Sequence, residues 1–180
     1  PYDVSAADMD GDGDMDLVSG TVGEGTIAWY ENDGNADPTW TAADIGSESD
    51  SVIDIFVADI DGDGDLDLAS ASRGDDKIAW YENTNNDGSA WQAHVVTTDA
   101  DYAYSVHIAD IDGDGDMDAL VSEGGANSIV WHSNDDGAGG SFTKHDIYTD
   151  AQAARCVKAA DIDGGRCAAR RDWCRLGVLG

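Results

Sequence analysis

Residues 8–16 read Asp8-Met9-Asp10-Gly11-Asp12-Gly13-Asp14-Met15-Asp16, and this stretch decides the fold. It recurs as Asp59-Ile60-Asp61-Gly62-Asp63-Gly64-Asp65-Leu66-Asp67 and as Asp110-Ile111-Asp112-Gly113-Asp114-Gly115-Asp116-Met117-Asp118, and it begins again at Asp161, each onset 51 residues after the last. Two other markers keep the same period. Trp29-Tyr30-Glu31-Asn32 returns as Trp80-Tyr81-Glu82-Asn83 and as Trp131-His132-Ser133-Asn134, and Trp40 returns as Trp91 and Phe142. Three markers in one register make chance agreement implausible. A period near 50 residues points to a propeller or solenoid rather than one irregular domain.

Each unit holds four short strand candidates, in the first copy Val4–Ala7, Leu17–Gly20, Thr26–Tyr30 and Trp40–Ile45. Clusters of Gly, Asn and Asp separate them, as turns require. In the third strand, alternation puts Ile27 and Trp29 on one face and Ala28 and Tyr30 on the other. Both faces are apolar, so the strand is expected to be covered on both sides, and Ile78–Tyr81 and Ile129–Trp131 repeat the pattern. A helical reading fails, because no long segment has a 3.6-residue period and glycine is dense throughout. The expected fold is all-β: a partial β-propeller of about three and a half four-stranded blades, since four-stranded sheets packed face to face around an axis are what a propeller needs.

Five Asp in nine residues repel one another strongly unless a cation joins them or protons neutralise them. Ca²⁺ accepts six to eight oxygens at roughly 2.3–2.6 Å, which carboxylates, a carbonyl and water can supply. Positions 1, 3 and 5 (Asp8, Asp10, Asp12) are expected to converge on one ion, with Gly11 and Gly13 letting the chain wrap. Position 9 (Asp16) is expected to close the site from the start of the next strand. The loops contain no His or Cys, which excludes soft-metal sites. An EF-hand also opens DxDxDG but needs Glu at loop position 12 and flanking helices. Position 12 is Ser19, Ser70 and Val121, and the flanks read as strands. Solvated turns also favour Asp and Gly, but turn chemistry does not hold five Asp at the same five places in three copies.

On these three DxDGDGDxD loops and the I-A-W-Y-E-N strand of the first two copies, residues 1–164 resemble the FG-GAP/VCBS-type repeats, whose calcium-binding blades also occur in integrin α-subunit propellers. The resemblance implies Ca²⁺ at about three sites, held by side chains at positions 1, 3, 5 and 9 and a main-chain carbonyl at position 7. That maps onto Asp8, Asp10, Asp12, Asp14 and Asp16; Asp59, Asp61, Asp63, Asp65 and Asp67; and Asp110, Asp112, Asp114, Asp116 and Asp118. It further implies an extracellular or cell-surface location and a role in adhesion, extracellular assembly or carbohydrate-related function. The sequence departs from the family in holding only about three and a half units where such propellers usually have about seven. Its fourth loop also degenerates after Asp161-Ile162-Asp163-Gly164 into Gly165-Arg166-Cys167-Ala168-Ala169, so no fourth site is expected.

Residues 165–180 read as foreign to the repeats, with four Arg and one Asp, whereas residues 1–164 carry five basic residues in all. A shifted reading frame is the expectation, against a genuine short basic terminus, and the encoding nucleotide sequence decides. The 180 residues carry 38 acidic against 9 basic groups, a net charge of −29, and 33 of the acids are Asp. That balance excludes nucleic-acid binding, which needs a basic footprint, and binding to anionic membranes. A hydrophobic fraction of 41% is too high for a disordered acidic tail, and no apolar run approaches the roughly 20 residues needed to span a bilayer. Salt adaptation would account for excess acid but not for its register. Cys156, Cys167 and Cys174 specify neither a zinc site nor a disulfide framework.

The leading functional expectation is a calcium-stabilised interaction module for an unknown protein or carbohydrate, not an enzyme. The rival is a propeller domain of a secreted carbohydrate-active lyase or hydrolase, which would need a unique constellation. His94 and His145 share one repeat position, His132 replaces Tyr30 and Tyr81, and His107 stands where Phe56 stands, so none reads as a catalytic base. The repeated Trp and Tyr are expected in the core rather than on a sugar-stacking face.

Overall fold

The computed structural model describes residues 1–160 apart from Glu24 and Glu48. The degenerate loop from Asp161 and the segment 165–180 lie outside the described residues. Twelve strands form three four-stranded antiparallel sheets, and the described residues contain no helix. Sheet 1 is β1 (Asp3–Ala7), β2 (Asp16–Gly20), β3 (Ile27–Asn32) and β4 (Trp40–Gly46). Sheet 2 is β5 (Val52–Ala58), β6 (Asp67–Ser72), β7 (Lys77–Asn83) and β8 (Trp91–Thr97). Sheet 3 is β9 (Ala103–Ala109), β10 (Asp118–Glu123), β11 (Ser128–Asn134) and β12 (Phe142–Tyr148). Each is a simple meander in sequence order.

The strands fall where the alternation places them, with ends moved by a residue or two. The third strand of sheet 1 begins at Ile27 rather than Thr26, because Thr26 closes the preceding turn: its carbonyl accepts from the Thr21 amide at 3.0 Å. It runs on to Asn32 because Glu31 and Asn32 still pair with Thr41 and Trp40. Each outer strand carries an irregularity opposite the same place, between Ile27 and Ala28, Ile78 and Ala79, and Ile129 and Val130. The extra residue there is Ile45, Val96 or Ile147, and each packs with a core cluster. A bulge breaks the two-residue alternation and re-aims a side chain, here an aliphatic one that strict pleating would misdirect.

The sheets pack face to face, meeting most extensively through their first strands and much less through the fourth strands β4 and β8. Met9, Val18, Ile27 and Trp29 of the first unit meet Ile55, Leu68, Ala79 and Tyr81 of the second. One period later, Ile60, Ile78 and Trp80 meet Val106, Ala119 and Val130. Leu120, Ile129 and Trp131 on the far face of sheet 3 are covered by the segment around Val157. The two apolar faces of the third strand thus serve two different interfaces. Trp29, Trp80 and Trp131 are core residues, 5%, 1% and 7% exposed, but the expectation fails for the outer-strand marker, where Trp40 is 43% exposed and Trp91 is only partly buried. Trp80 is closely packed: His94 stacks on it at 4.4 Å, and Gly139, in the turn between β11 and β12, leaves no room beside the ring for a Cβ. The Gly139 carbonyl accepts the Trp80 indole N–H at 2.9 Å.

The first strands are also tied to one another by a periodic hydrogen bond. The Asp3 carboxylate accepts from the Ile55 amide at 3.0 Å, and Asp54 accepts from Val106 at 2.9 Å. Ser105, at the same repeat position, accepts from Val157 at 3.4 Å through its hydroxyl oxygen. Each side chain thus reaches 52 residues ahead into the following unit.

Candidate metal centres

Each Asp-rich segment is the connection between the first and second strands of its sheet. Its wrap depends on both glycines: Gly11, Gly13, Gly62, Gly64, Gly113 and Gly115 all have φ between +73° and +102°, a region that costs other residues energy. The carboxylates brace the loop through its own amides. At position 1, Asp59 accepts from Gly62 at 2.8 Å and from Gly64 at 3.1 Å, and Asp110 accepts from Gly113 and Gly115 at 2.6 and 3.2 Å. At positions 3 and 5, Asp10, Asp12, Asp61, Asp63, Asp112 and Asp114 each accept from the amide two residues on, at 2.9–3.2 Å. These Asx turns hold the loop in its tight wrap.

Position 9 is the first residue of the second strand and the base of the loop. Asp16, Asp67 and Asp118 are 0%, 1% and 1% exposed. One oxygen of each accepts from the amide of loop position 2 (Met9, Ile60, Ile111) at 2.9–3.0 Å. The other accepts from the amide of Asn32, Asn83 or Asn134, at 2.8–2.9 Å, at the end of the third strand. A carboxylate oxygen has a second lone pair, so this bracing leaves capacity for a cation.

Oxygens that each lie about 2.4 Å from one ion can be no more than about 4.8 Å apart. Groups that meet this limit are Asp8, Asp10 and Asp12 in the first loop, Asp59, Asp61 and Asp67 in the second, and Asp110, Asp112 and Asp118 in the third. Positions 1, 3 and 5 therefore gather in the first loop as the sequence leads one to expect, while position 9 takes the third place in the others. The donor set is all oxygen, which suits a hard cation such as Ca²⁺. The Oδ1 oxygen of Asp8 is buried with no hydrogen-bond partner, an acceptor that a cation would satisfy. Bound there, the ion would supply positive charge that holds the loop's carboxylates together.

Without that charge, individual carboxylates in each loop resist ionisation. Burial is the main cause that raises Asp10, Asp61 and Asp112 above the usual carboxylate range, with neighbouring loop carboxylates adding to it. Burial pushes Asp67 up to about 7 and Asp118 to about 6, against the lowering pull of their two backbone amides. The position 7 side chains of Asp14 and Asp116 lie against Gly34 and Gly137, where a Cβ would come within 2.1 and 2.8 Å of a carboxylate oxygen.

The histidines sit elsewhere. His94 and His145 stack on Trp80 and Trp131, and His107 contacts Phe56 edge-on at 4.4 Å. His132 is 2% exposed, and burial, aided by Lys144 and His145, lowers its pKa to about 4. Sequence reasoning used Asn32, Asn83 and Asn134 only as strand markers and missed that they hold position 9. Their recurrence at one repeat position immediately after Trp-x-x was the available signal.

A family model for FG-GAP-like repeats matches residues 8–70 and 59–121, each match running from one Asp-rich loop to just beyond the next. Together the matches cover more than half of the chain, and the chain belongs to the FG-GAP-like repeat family. No curated protein matches it.

Proposed function

We propose that this chain is a calcium-binding β-propeller module of an extracellular or cell-surface protein, acting in adhesion or in binding a protein or carbohydrate partner. The observation that carries this reading is the threefold recurrence of the Asp-rich loop, with three carboxylates gathered within 4.8 Å of one another in each copy. Sheets that meet mainly through their first strands and little through their fourth are consistent with the wedge-like packing a propeller requires. The FG-GAP-like match supports a propeller-type repeat module. Binding is favoured over catalysis because the described histidines are engaged in ring contacts or buried at repeat positions.

Calorimetric titration with Ca²⁺ tests the reading. It should give three sites, one per intact loop, and excess chelator should lower the melting temperature, because the metal binds the folded form preferentially. Absence of binding heat together with an unchanged melting curve in chelator would reject it.

A further inference from the structure

The first two loops touch through one side chain. Asn83 is fully buried at the end of β7. Its backbone amide donates to Asp67 Oδ1 at 2.9 Å, at the base of the second loop. Its side-chain Nδ2 crosses to sheet 1 and donates to the Met9 carbonyl at 2.9 Å. Met9 is itself fully buried, lies between Asp8 and Asp10, and has its own amide held by Asp16 at 3.0 Å. The remaining Asn83 atom, Oδ1, accepts from Gly88 at 3.3 Å, which fixes the side-chain amide's orientation. The peptide groups on either side of Met9 are thus pinned, one by the first loop's own position 9 and the other by the residue that holds position 9 of the second loop.

The same position behaves differently in the other copies. Asn32 turns its Nδ2 to the Met15 carbonyl in the loop of its own unit, at 3.0 Å. Asn134 keeps the backbone bond to Asp118 and accepts from Gly139 at 3.0 Å, but its Nδ2 has no partner. The crossing bond therefore joins the first loop to the second and not the second to the third.

We infer that Asn83 is a positioning residue that couples calcium binding at the first loop to calcium binding at the second. The inference rests on the calcium reading above. A cation at the second loop fixes Asp67, and with it the end of β7. Asn83 then holds the Met9 carbonyl, and hence the spacing of Asp8 and Asp10, in the arrangement the first loop needs. Coupling between binding sites is reciprocal, so each loop should raise the other's affinity by the same factor. A single neutral hydrogen bond sets the scale at about fivefold.

The test is a cycle on the full chain, read by calorimetry with Ca²⁺. The third loop is disabled throughout by Asp112→Asn with Asp114→Asn. The affinity of the first loop is then measured with the second loop intact or disabled by Asp61→Asn with Asp63→Asn, in wild-type and Asn83→Ala backgrounds. Disabling the second loop should weaken the first about fivefold when Asn83 is present and leave it unchanged in Asn83→Ala. Asn83→Ser serves as a second, uncharged variant, because its shorter side chain cannot bridge to the Met9 carbonyl and adds no carboxylate beside Asp67, and it should uncouple the loops in the same way. Equal losses in the presence and absence of the Asn83 amide overturn the coupling. Failure of every loop to bind Ca²⁺ overturns the calcium reading instead, so the two failures are distinct.

Discussion

Within a single loop, residues of one type divide the work. Asp67 both belongs to the compact carboxylate group and braces two backbone amides, whereas Asp65 stands outside that group. Asp65→Asn should therefore lower calcium affinity at the second loop only modestly, while Asp67→Ala should lower it on the order of tenfold or more. Asp67→Ala should also destabilise the calcium-free chain by about 1–3 kcal/mol, because it leaves the Ile60 and Asn83 amides without acceptors. Site-resolved titration and melting in chelator separate the two effects, and a larger affinity loss for Asp65→Asn would contradict the assignment. The family resemblance already separated a side-chain role for Asp67 from a carbonyl role for Asp65, but the amide bracing by Asp67 was not legible, because spacing does not reveal which oxygen an amide already occupies. His132 offers a different reading of burial. Its pKa falls from about 6.5 unfolded to about 4 folded, so its contribution is fully present above pH 6.5 and is lost as pH falls toward 4. Relative to wild type, His132→Phe should gain on the order of 2 kcal/mol between pH 7 and pH 4. Parallel pH–stability curves would refute this.

Between elements, contact is made by devices that the strand pattern does not display. The four-strand meander and its apolar faces were legible because alternation and turn residues act locally. The bulges at Ile45, Val96 and Ile147 were not, since a bulge is defined only by the opposing strand. The cross-sheet bonds of Asp3, Asp54 and Ser105 were equally hidden, because a partner 52 residues away leaves no local trace. Asp54 is costly as an anion in this place: burial, with Asp3 nearby, raises its pKa to about 6 despite bonds from Ser105 and Val106. A raised carboxylate favours the folded state below its unfolded pKa of about 3.9, and that benefit is lost as pH rises through 6. Asp54→Asn keeps an acceptor for Val106 and removes the charge. It should stabilise the chain by on the order of 1–2 kcal/mol at pH 7.5 and have little effect near pH 4, as denaturant unfolding at both values would show. Destabilisation at pH 7.5 would mean that the charge itself holds the sheets.

For the whole molecule, the same signs set how stability responds to pH and metal. Asp54, Asp67 and Asp118 are raised to about 6, 7 and 6, so the metal-free chain should lose stability as pH rises from about 4 to 7, with His132 acting in the opposite sense. Calcium stabilisation should be present near neutrality and fade on acidification, as protons compete for the ligand oxygens. Melting curves with and without chelator should therefore converge as pH falls, and a constant gap would refute the linkage. The outer face of sheet 1 leaves Tyr2 67% and Val4 54% exposed, whereas Ile55 and Val106, the counterparts of Val4, are 5% and 2% exposed. The isolated chain should self-associate through that face, and Val4→Lys with Tyr30→Lys should shift it toward monomer in light scattering. The repeat made this architecture legible, but not which faces find a cover within residues 1–160. The hydrogen bonds that reach 52 residues ahead also give assembly a direction in time. Asp3 is synthesised a full unit before the Ile55 amide it receives, and Asp54 a full unit before Val106. As the chain leaves the ribosome, each new first strand therefore meets an acceptor already in place on the sheet before it. Folding from the amino end would then run by templating, each unit that has formed offering its successor both an apolar wall and a polar mark for the next strand.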